Sequence, residues 1–471
     1  MNKIFISTAI DYVNAFPHLG HCFEKIQADV VARYNRKTGK EVFYLTGTDE
    51  NSLKNVQAAD EEKITPKELV DKNAQKFYEL KDVLNLSFDD FIRTTEKRNI
   101  GGAKKLWNAC KNDIYKKTYS GLYCVGCEEF YKLEELVNGL CREHKTKPEL
   151  IEEENYFFKL SNYQNQIKKI IDKDIVKIIP ETKKNEVASF INSGLRDFCI
   201  SRSAKRGRGW GISVPGDSDE VMWTWFDALS NYINALGYAD NEKKFEEWWQ
   251  NNNDKLHIIG KGILRFHAVY WIAILLSAKL KLPDRIFVHG YITVGGQKMS
   301  KSLGNVIDPF KLVEKYGTDA VRYYLLREIP SAEDGDFTYE KFEQRFNADL
   351  AGGIGNLAAR ILGIAGGLNS APKATKKTKE KVAKIKDNYR VAIENFKFNE
   401  ALALVWDLIS YCDKYINDEK LWETKKPEVI NDLFFALNEI AVLLEPFLPE
   451  TSEKIKKAVK SRKKETLFPR I

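Results

Sequence analysis

Two histidines separated by a leucine and a glycine stand near the start of the chain, in the run Pro17-His18-Leu19-Gly20-His21. Histidines three apart share one face of the first turn of a helix, where unpaired backbone N–H groups attract anions. Pro17 suits the first helical position, and Gly20 leaves room for a nucleotide against the backbone. The run fits a phosphate site at a helix N-terminus and equally a capping turn with surface histidines, and alone it does not choose between them.

A second basic motif, Lys298-Met299-Ser300-Lys301-Ser302, follows two glycines and a glutamine in a predicted loop after the last strand. Two lysines beside hydroxyls in a glycine-flanked loop can close on a polyphosphate as mobile charges. Taken alone, the motif is more typical of a solvated basic loop. The presence of both motifs, one in each half of a split parallel sheet, argues against coincidence and favours polyphosphate chemistry.

Four potential metal ligands lie in the middle of the chain with the spacing Cys124-x2-Cys127-x13-Cys141-x2-His144. Two such pairs can converge on one tetrahedral Zn²⁺. The seven cysteines are too few and too unevenly spaced for a secreted disulfide scaffold. The other four lie in apolar contexts typical of inert core thiols: Cys22, Cys110, Cys199 and Cys412. The sequence therefore predicts one zinc knuckle.

The strands and the helix around the first motif are predicted to form a βαβ unit. A strand at 3–8 is followed by a helix at about 18–38, which Gly39 is placed to end, and by a strand at 41–45. Two strands joined by a crossover helix predict a parallel sheet.

The same pattern returns before the second motif, with a strand at 255–260, a helix at 263–279 and a strand at 285–291. Between the two halves the chain changes to cysteine pairs and charged runs, and after about residue 338 it keeps helical periodicity only. We therefore predict an α/β protein with a split Rossmann-type domain at 1–114 and 222–337 (its region with the lysine motif at about 292–337), a zinc-binding insertion at 115–221, and an all-α helical bundle at 338–471.

Bulk composition is that of an ordinary globular protein, with 43% hydrophobic and 30% charged residues over a length that suggests about three domains. No run approaches the roughly 20 apolar residues of a membrane helix, and no targeting segment precedes the first strand, so we expect a soluble cytoplasmic protein. The net charge of +7 is carried by residues 454–471, which hold eight Lys and Arg against one Glu. Such a tail is more often a solvated helix end than a specific RNA contact.

The two motifs resemble the HIGH and KMSKS motifs of the class I aminoacyl-tRNA synthetases, and further segments resemble the methionyl enzymes of that class. The resemblance covers nearly the whole chain and is highly specific. Its segments are Ala9–Asn14, Thr46–Glu50, Trp225–Leu229, Ile259–Lys261 with Phe266-His267, Lys298–Pro309, Tyr316–Arg322, Asp334–Phe337 and Asn347–Leu350.

The resemblance implies a two-step reaction in which ATP, accompanied by Mg²⁺, activates L-methionine and the terminal adenosine of tRNA(Met) then accepts it. Catalytic roles fall to His18, His21, Lys298 and Lys301; Gly20, Met299, Ser300 and Ser302 join them in binding ATP. The methionine site would comprise Ala9, Ile10, Tyr12, Asp49, Trp225, Ala228, Leu229, Tyr232, Ile263 and His267. Asp49, at the end of a strand, could hold the ammonium group, and the apolar and aromatic residues suit a thioether, although core packing alone would also explain Trp225 and Tyr232.

The resemblance also implies a structural Zn²⁺ in the connective insertion and an anticodon-binding bundle. Asn356 and Arg360 lie four apart on one predicted helix, and Trp422 stands between charged residues where an exposed indole suits base stacking. These three residues would read the anticodon. Because no further module follows the bundle in this sequence, we expect a monomer.

Some residues depart from the family pattern, namely Asn51-Ser52, Gly262, Leu421 and the fourth zinc ligand His144. The alternatives left open are a class I synthetase for another small apolar or thiol amino acid and a tRNA-binding paralogue without activity. Leucine, isoleucine and valine enzymes typically carry a much larger editing insertion than the roughly 100 residues here, and a cysteinyl enzyme would be expected to place zinc in its amino-acid pocket. An inactive paralogue would be expected to lose some of the four basic motif residues, which are all present.

Overall fold

A computed structural model describes residues 2–124, 129–142, 145–222, 224–299, 304–364, 374–463 and 466–471, with the backbone alone at 129, 130 and 224. The chain divides into two compact units. Unit 1 comprises residues 1–17, 39–79 and 88–288, and unit 2 comprises residues 18–38, 80–87 and 289–471. The three predicted domain boundaries stay a prediction.

The strands of the described residues are β1 (Lys3–Thr8), β2 (Asp11–Tyr12), β3 (Glu41–Asp49), β4 (Asp90–Arg93), β5 (Ile114–Cys124), β6 (Glu129–Tyr131), β7 (Glu149–Phe158), β8 (Lys177–Ile179), β9 (Phe198–Cys199), β10 (Ser201–Ser203), β11 (Ser213–Val214), β12 (Asp217–Met222), β13 (Lys255–Gly260), β14 (Arg285–His289), β15 (Ile292–Val294), β16 (Gln297–Lys298) and β17 (Gly335–Phe337).

Their α-helices are α1 (Leu19–Lys37), α2 (Leu53–Glu62), α3 (Pro66–Val83), α4 (Lys97–Ala109), α5 (Gln164–Asp172), α6 (Glu181–Asn192), α7 (Thr224–Asn234), α8 (Glu242–Phe245), α9 (Trp271–Ser277), α10 (Pro309–Tyr316), α11 (Thr318–Arg327), α12 (Tyr339–Arg345), α13 (Asn356–Ile364), α14 (Lys376–Glu394), α15 (Phe398–Asp418), α16 (Leu421–Thr424), α17 (Pro427–Leu444) and α18 (Pro449–Ser461).

Unit 1 is built on a sheet with the strand order β2-β3-β1-β13-β14-β8, to which β4 adds by pairing with β3. The pairs β1–β3, β1–β13 and β8–β14 run parallel. After Lys3, every residue of the central strand β1 is buried, as expected of a strand covered on both faces. The predicted parallel α/β architecture is therefore confirmed.

The predicted helix at 263–279 is confirmed in its main extent, since helical residues run without a break from Leu264 to Ser277, but it is not α-helical throughout. A 3-10 turn at Lys261–Ile263 and a π-helical turn at Phe266–Tyr270 precede α9. His267 Nδ1 lies 2.9 Å from the carbonyl oxygen of Ile263, four residues earlier. The ring thus occupies the acceptor that an ideal helix would offer to the backbone N–H of His267, which fits the local widening.

Residues 114–222 add an antiparallel sheet in the order β6-β5-β7-β9 and a smaller one in the order β10-β12-β11. The long β5–β7 ladder runs from Ile114 opposite Phe158 to Tyr123 opposite Glu149. Within the same range, β8 pairs with β14 and so belongs to the main parallel sheet.

In unit 2, every regular element described after residue 338 is helical, which confirms the predicted change to an all-α C-terminal region. A three-stranded sheet in the order β16-β15-β17 precedes it. No helix in the described part of the chain is both long enough and apolar enough to span a lipid bilayer.

Candidate functional site

The two histidines of the first motif cap the N-terminus of α1 in unit 2. His18 is the N-cap residue, and its Nδ1 accepts a hydrogen bond from the backbone N–H of Gly20 at 3.1 Å. The backbone N–H of His18 in turn donates to Nδ1 of His21 at 3.1 Å. Because the helix begins at Leu19, Pro17 precedes the N-cap, and its predicted place at the first helical position was wrong.

This reciprocal cap fixes the tautomer of both rings. A neutral imidazole whose Nδ1 accepts a hydrogen bond carries its proton on Nε2. The rings of His18 and His21 stack with centroids 3.8 Å apart. Burial, assisted by the charge of Lys25, lowers the pKa of His21 to about 3, so this ring is neutral at pH 7. The pair caps the helix, as one interpretation of the run predicted, and the phosphate site remains a prediction.

The second motif begins on a hairpin. The strands β15 and β16 pair antiparallel around Gly295 and Gly296, which both have positive φ. Such a two-residue turn matches the twist of a hairpin and favours glycine. The prediction that Lys298 lies in a loop was therefore wrong, since it ends β16 with its side chain exposed. Its Nζ lies 5.2 Å from the centre of the Tyr291 ring.

One carboxylate holds the hairpin turn in place. Asp336 Oδ1 accepts hydrogen bonds from the backbone N–H of Gly296 at 2.8 Å and from the hydroxyl of Thr293 at 2.7 Å. These bonds lower the pKa of Asp336 below its usual range. The carboxylate thereby fixes the turn that leads into the lysine motif.

The two motifs meet within unit 2. A β-carbon placed on Gly20 would lie 3.5 Å from Cε of Met299, and Met299 is buried. The backbone N–H of Leu19 also donates to the carbonyl of Ile307 at 3.2 Å. The predicted ATP-binding residues Ser300, Lys301 and Ser302 lie outside the described residues.

A further pair in this region was not predicted. His289, at the end of β14, places Nε2 2.8 Å from Oε2 of Glu24 on α1. Its Nδ1 lies 2.7 Å from the carbonyl oxygen of Gly290. Both groups are buried. Residues 265 positions apart in sequence thus connect the HLGH helix to the base of the hairpin, and no local pattern signals such a pair.

In unit 1, the predicted ammonium-binding residue Asp49 ends β3 and is buried, as the sequence predicted. It pairs in register with Tyr12 of β2, whose ring lies 4.5 Å from Nζ of Lys54. A β-carbon on Gly47 would lie 2.0 Å from the carbonyl oxygen of Ile92. Glycine is therefore required there for β4 to approach β3.

Four predicted pocket residues, Trp225, Ala228, Leu229 and Tyr232, lie on α7. The ring of Trp225 stacks on Phe266 at 3.7 Å with an interplanar angle of 6°. Sequence reasoning did not assign Phe266 to the pocket, although its place directly before His267 was a usable signal. The other predicted members, Ala9, Ile10 and Ile263, pack with the same core.

Tyr232 and His267 form a buried polar contact among these apolar groups. The Tyr232 hydroxyl lies 2.7 Å from Nε2 of His267. The other ring nitrogen faces the carbonyl of Ile263, which can only accept, so Nδ1 carries the proton of the neutral ring. The Tyr232 hydroxyl then donates to His267 and keeps lone pairs for other contacts.

A third aromatic group, His257 of β13, was also missed. Its Nδ1 lies 2.6 Å from the hydroxyl of Ser7, and its ring centroid is 4.2 Å from that of Tyr232. Burial lowers its pKa well below the usual value, and the charge of Lys255 acts in the same direction. A neutral histidine thus lies next to the side chain of Tyr232.

The departure Asn51-Ser52 has a structural explanation. Ser52 is the N-cap of α2 and accepts the backbone N–H of Lys54 at 3.0 Å. The Asn51 amide donates to Asp227 of α7 at 2.7 Å. The amide therefore links the end of β3, which carries Asp49, to the helix that carries Trp225, Ala228, Leu229 and Tyr232.

Two of the four predicted zinc ligands can be placed. Cys124 and Cys141 are buried, and both contact Thr146: Cys124 Sγ lies 3.8 Å from its hydroxyl, and the backbone N–H of Cys141 donates to its carbonyl at 2.8 Å. The predicted partners Cys127 and His144 lie outside the described residues. No group of three or more possible ligand side chains occurs among the residues that are described.

The predicted anticodon residues lie on the helical part of unit 2. Asn356 and Arg360 share α13, and Asn356 is exposed. The Arg360 guanidinium donates to Asp413 at 2.8 Å and to Asn417 at 2.7 Å. Trp422 is 51% exposed.

Leu421, where the family usually has proline, is the buried residue of α16. It fills the bundle core beside the exposed Trp422. Trp422 is therefore not the residue of α16 that fills the core.

Two protein families match this chain, one over the α/β region with the start of the helical region and one over most of the remaining helical region. The family described as tRNA synthetases class I (M) matches residues 4–143 and 131–362. The family described as anticodon-binding domain of tRNA ligase matches residues 376–469.

Individual relatives match over nearly the full length. A methionine–tRNA ligase of Brucella suis is 41% identical over 96% of this chain and 91% of its own, and that of Thermotoga maritima is 38% identical over 98% and 76%. Among solved structures, methionyl-tRNA synthetase of Mycobacterium tuberculosis in complex with methionyl-adenylate has a TM-score of 0.91 at 36% identity and covers 100% of this chain and 98% of its own.

Proposed function

The chain belongs to the methionine–tRNA ligases of class I, and we propose that it activates L-methionine with ATP and transfers the methionyl group to tRNA(Met). The observation that carries this conclusion is the full-length match to such ligases together with the contact of Met299 with Gly20, which joins the two motifs. The resemblance inferred from the sequence is thereby confirmed at the level of family and activity.

In the first step, a methionine carboxylate oxygen attacks the α-phosphorus of ATP in line, and pyrophosphate leaves with the electrons of the broken P–O bond. The product is the mixed anhydride methionyl-adenylate. Such a step needs positioning and stabilisation of charge more than covalent catalysis by side chains. Mg²⁺ accompanying ATP would neutralise part of the phosphate charge.

We assign the binding of the triphosphate to the N-terminus of α1. Neutral His18 and His21 would donate from Nε2 to phosphate oxygens, since their Nδ1 atoms cap the helix. Lys298 and Lys301 would stabilise the charge that develops on the leaving pyrophosphate. Gly20 would keep the first turn open to the nucleotide, and Met299 Cε lies beside the space that a β-carbon would occupy.

We assign methionine binding to the end of β3 and to α7. The Asp49 carboxylate would hold the ammonium group, and Tyr12, its neighbour in register, would border that site. Ala9, Ile10, Trp225, Ala228, Leu229 and Ile263 would surround the apolar side chain. The Tyr232 hydroxyl would donate its hydrogen to Nε2 of His267. Its oxygen would then face the thioether of the bound methionine.

In the second step, a terminal hydroxyl of the tRNA attacks the carbonyl carbon of the anhydride, and AMP leaves. The helical region would bind the anticodon through Asn356, Arg360 and Trp422. Zn²⁺ would be held by Cys124, Cys127, Cys141 and His144, and the burial of Cys124 and Cys141, which both contact Thr146, supports that assignment. Its chemistry there would be structural.

Methionine-dependent ATP–pyrophosphate exchange, measured across the twenty amino acids, tests this function. Methionine should be the preferred substrate, and charging should require tRNA(Met). Preferred exchange with a different amino acid, or no exchange by well-folded protein, would contradict it.

A further inference from the structure

In unit 2, side chains of helix α11 hydrogen-bond to both ends of the connection between α17 and α18. Asp319 Oδ2 accepts the backbone N–H of Thr451 in the first turn of α18 at 2.6 Å. The N-cap residue of α18, Leu448, makes no side-chain capping bond. Asp319 therefore provides from another helix the acceptor that an N-cap residue would supply.

The second set of hydrogen bonds comes from Arg322, one turn further along α11. The fully buried Arg322 donates Nε to the carbonyl of Phe447 at 2.7 Å and Nη2 to that of Pro446 at 2.9 Å. A cation on backbone carbonyls that follow a helix complements the charge distribution at that end. Asp319 and Arg322 thus hydrogen-bond to the two sides of the turn between α17 and α18. We call this pair of residues the α11 clamp.

The α11 clamp also reaches the helix of the first motif. Arg322 Nη2 lies 2.7 Å from Oδ2 of Asp29 on α1, and its Nη1 donates to the carbonyl of Leu84 at 3.0 Å. Burial acts to raise the pKa of Asp29, but Arg322 and Arg33 outweigh it and hold that pKa below its usual range. One guanidinium therefore joins α1 and the 80–87 segment to the α17–α18 turn.

The HLGH motif and this junction lie on the same rigid element. Asp29 is ten residues beyond Leu19, about 15 Å along α1. The far end of α1 contacts the bundle again, since Lys37 Nζ pairs with Glu445 at 2.6 Å. These contacts therefore help to fix the N-terminus of α1 relative to the bundle.

We propose that Asp319 and Arg322 are positioning residues that fix the helical bundle to α1, so that a tRNA held by its anticodon presents its acceptor end productively. This inference rests on the proposed function. Binding at one site raises the effective concentration of the second group only when the connection has a suitable geometry. A loosened clamp should leave each binding event intact and lower the rate of transfer.

Asp319→Ala tests the proposal, because it removes the acceptor without leaving a buried cation unpaired. Three quantities should be measured on the full chain: methionine-dependent pyrophosphate exchange, affinity for an isolated anticodon stem-loop of tRNA(Met), and kcat and KM for charging intact tRNA(Met). We expect the first two within about twofold of the parent, and kcat for charging reduced about tenfold or more with KM for tRNA little changed.

Conservative and control variants separate positioning from folding. Asp319→Asn keeps an oxygen for the N–H of Thr451 and should restore charging, whereas Arg322→Lys, which cannot reach all the carbonyls, should behave like Asp319→Ala. Ser452→Ala removes a buried bundle bond, donated to the carbonyl of Ala441 at 2.6 Å, and should leave charging unchanged.

Unchanged charging by both clamp variants would overturn the proposal. So would a loss of stem-loop affinity parallel to the loss of charging, because the role would then be the folding of the bundle. Absence of methionine-dependent exchange in the parent chain would instead contradict the proposed function.

Discussion

The side chain of Met299 lies over Gly20, at a distance where a β-carbon on the glycine would be 3.5 Å from the methionine Cε and 2.9 Å from Cε1 of His18. The glycine therefore serves two purposes, since it leaves the His18 ring in its capping position and keeps the surface above the first turn flat. A nucleotide bound here would use the same space.

Gly20→Ala should slow adenylate formation by about 10- to 100-fold, because the new methyl group displaces the His18 ring or the bound nucleotide. Single-turnover formation of methionyl-adenylate measures this. Gly101→Ala on α4 is a matched control, because its β-carbon would meet only Ala239 at 3.7 Å. Equal rates for the parent and Gly20→Ala would contradict the assignment.

Tyr232→Phe should raise KM for methionine about tenfold, with little change in KM for ATP. The substitution leaves the buried Nε2 of His267 without the hydroxyl that donates to it, and such a loss costs about 1–3 kcal/mol. Exchange kinetics at varied methionine and ATP provide the measurement. Tyr163→Phe, which removes a 2.6 Å bond to Asp113 away from the pocket, should leave both KM values unchanged.

The sequence correctly predicted secondary-structure elements whose bounds depend on residues close together in the chain. The strands at 3–8 and 255–260 have the bounds that were predicted, and α1 ends before Gly39, whose φ is +87°. Asp49 could be placed near the end of a parallel strand, although β3 runs to Asp49 and not only to the predicted end at residue 45. Helical spacing places Trp225 and Tyr232, seven positions apart, on one face of α7, but their assignment to a methionine site came from the resemblance.

Long-range pairs could not be predicted in this way. The pairing of Ser7 with His257 joins residues 250 positions apart, and that of Asp319 with Thr451 joins residues 132 apart. Each partner looks like an ordinary polar residue until the packing brings its counterpart within hydrogen-bonding distance. The reciprocal cap of His18 and His21 is local, and the run predicted a capping turn, but the pattern did not predict which ring atoms bond, because histidine is not a usual capping residue.

His257 should make the protein less stable in mild acid. Its pKa is lowered well below 6.5 in the folded protein, while in the unfolded chain the ring takes up a proton near pH 6.5. Because the folded-state pKa is the lower one, the stabilisation is complete above about pH 6.5 and falls as the pH decreases. The loss is at most about 1.4 kcal/mol per pH unit for one group. Urea unfolding of the parent and of His257→Asn between pH 7.5 and 4.5 should give a steeper decline for the parent, and equal declines would disprove this contribution.

One zinc ion per chain is expected in the connective insertion. Metal analysis of protein purified without chelator should give about one equivalent, and Cys141→Ser should reduce it strongly, because four ligands must act together. Cys412→Ser, which changes a buried thiol of the bundle, should leave the metal content unchanged. A parent content near zero would refute the site.

Trp422→Ala should weaken aminoacylation of tRNA(Met) sharply while methionine-dependent pyrophosphate exchange stays within about twofold of the parent. The indole is 51% exposed on the bundle, and the stacking of an RNA base on such a ring is worth about 1–3 kcal/mol, or roughly 5- to 150-fold in kcat/KM for tRNA. Because Leu421 fills the core position of α16, removal of the neighbouring indole should not change the melting temperature appreciably. Val391→Ala removes another exposed apolar side chain of the bundle and should leave charging intact, which controls for a general surface effect. A parallel fall in charging and exchange would make Trp422 a packing residue and would end the anticodon assignment.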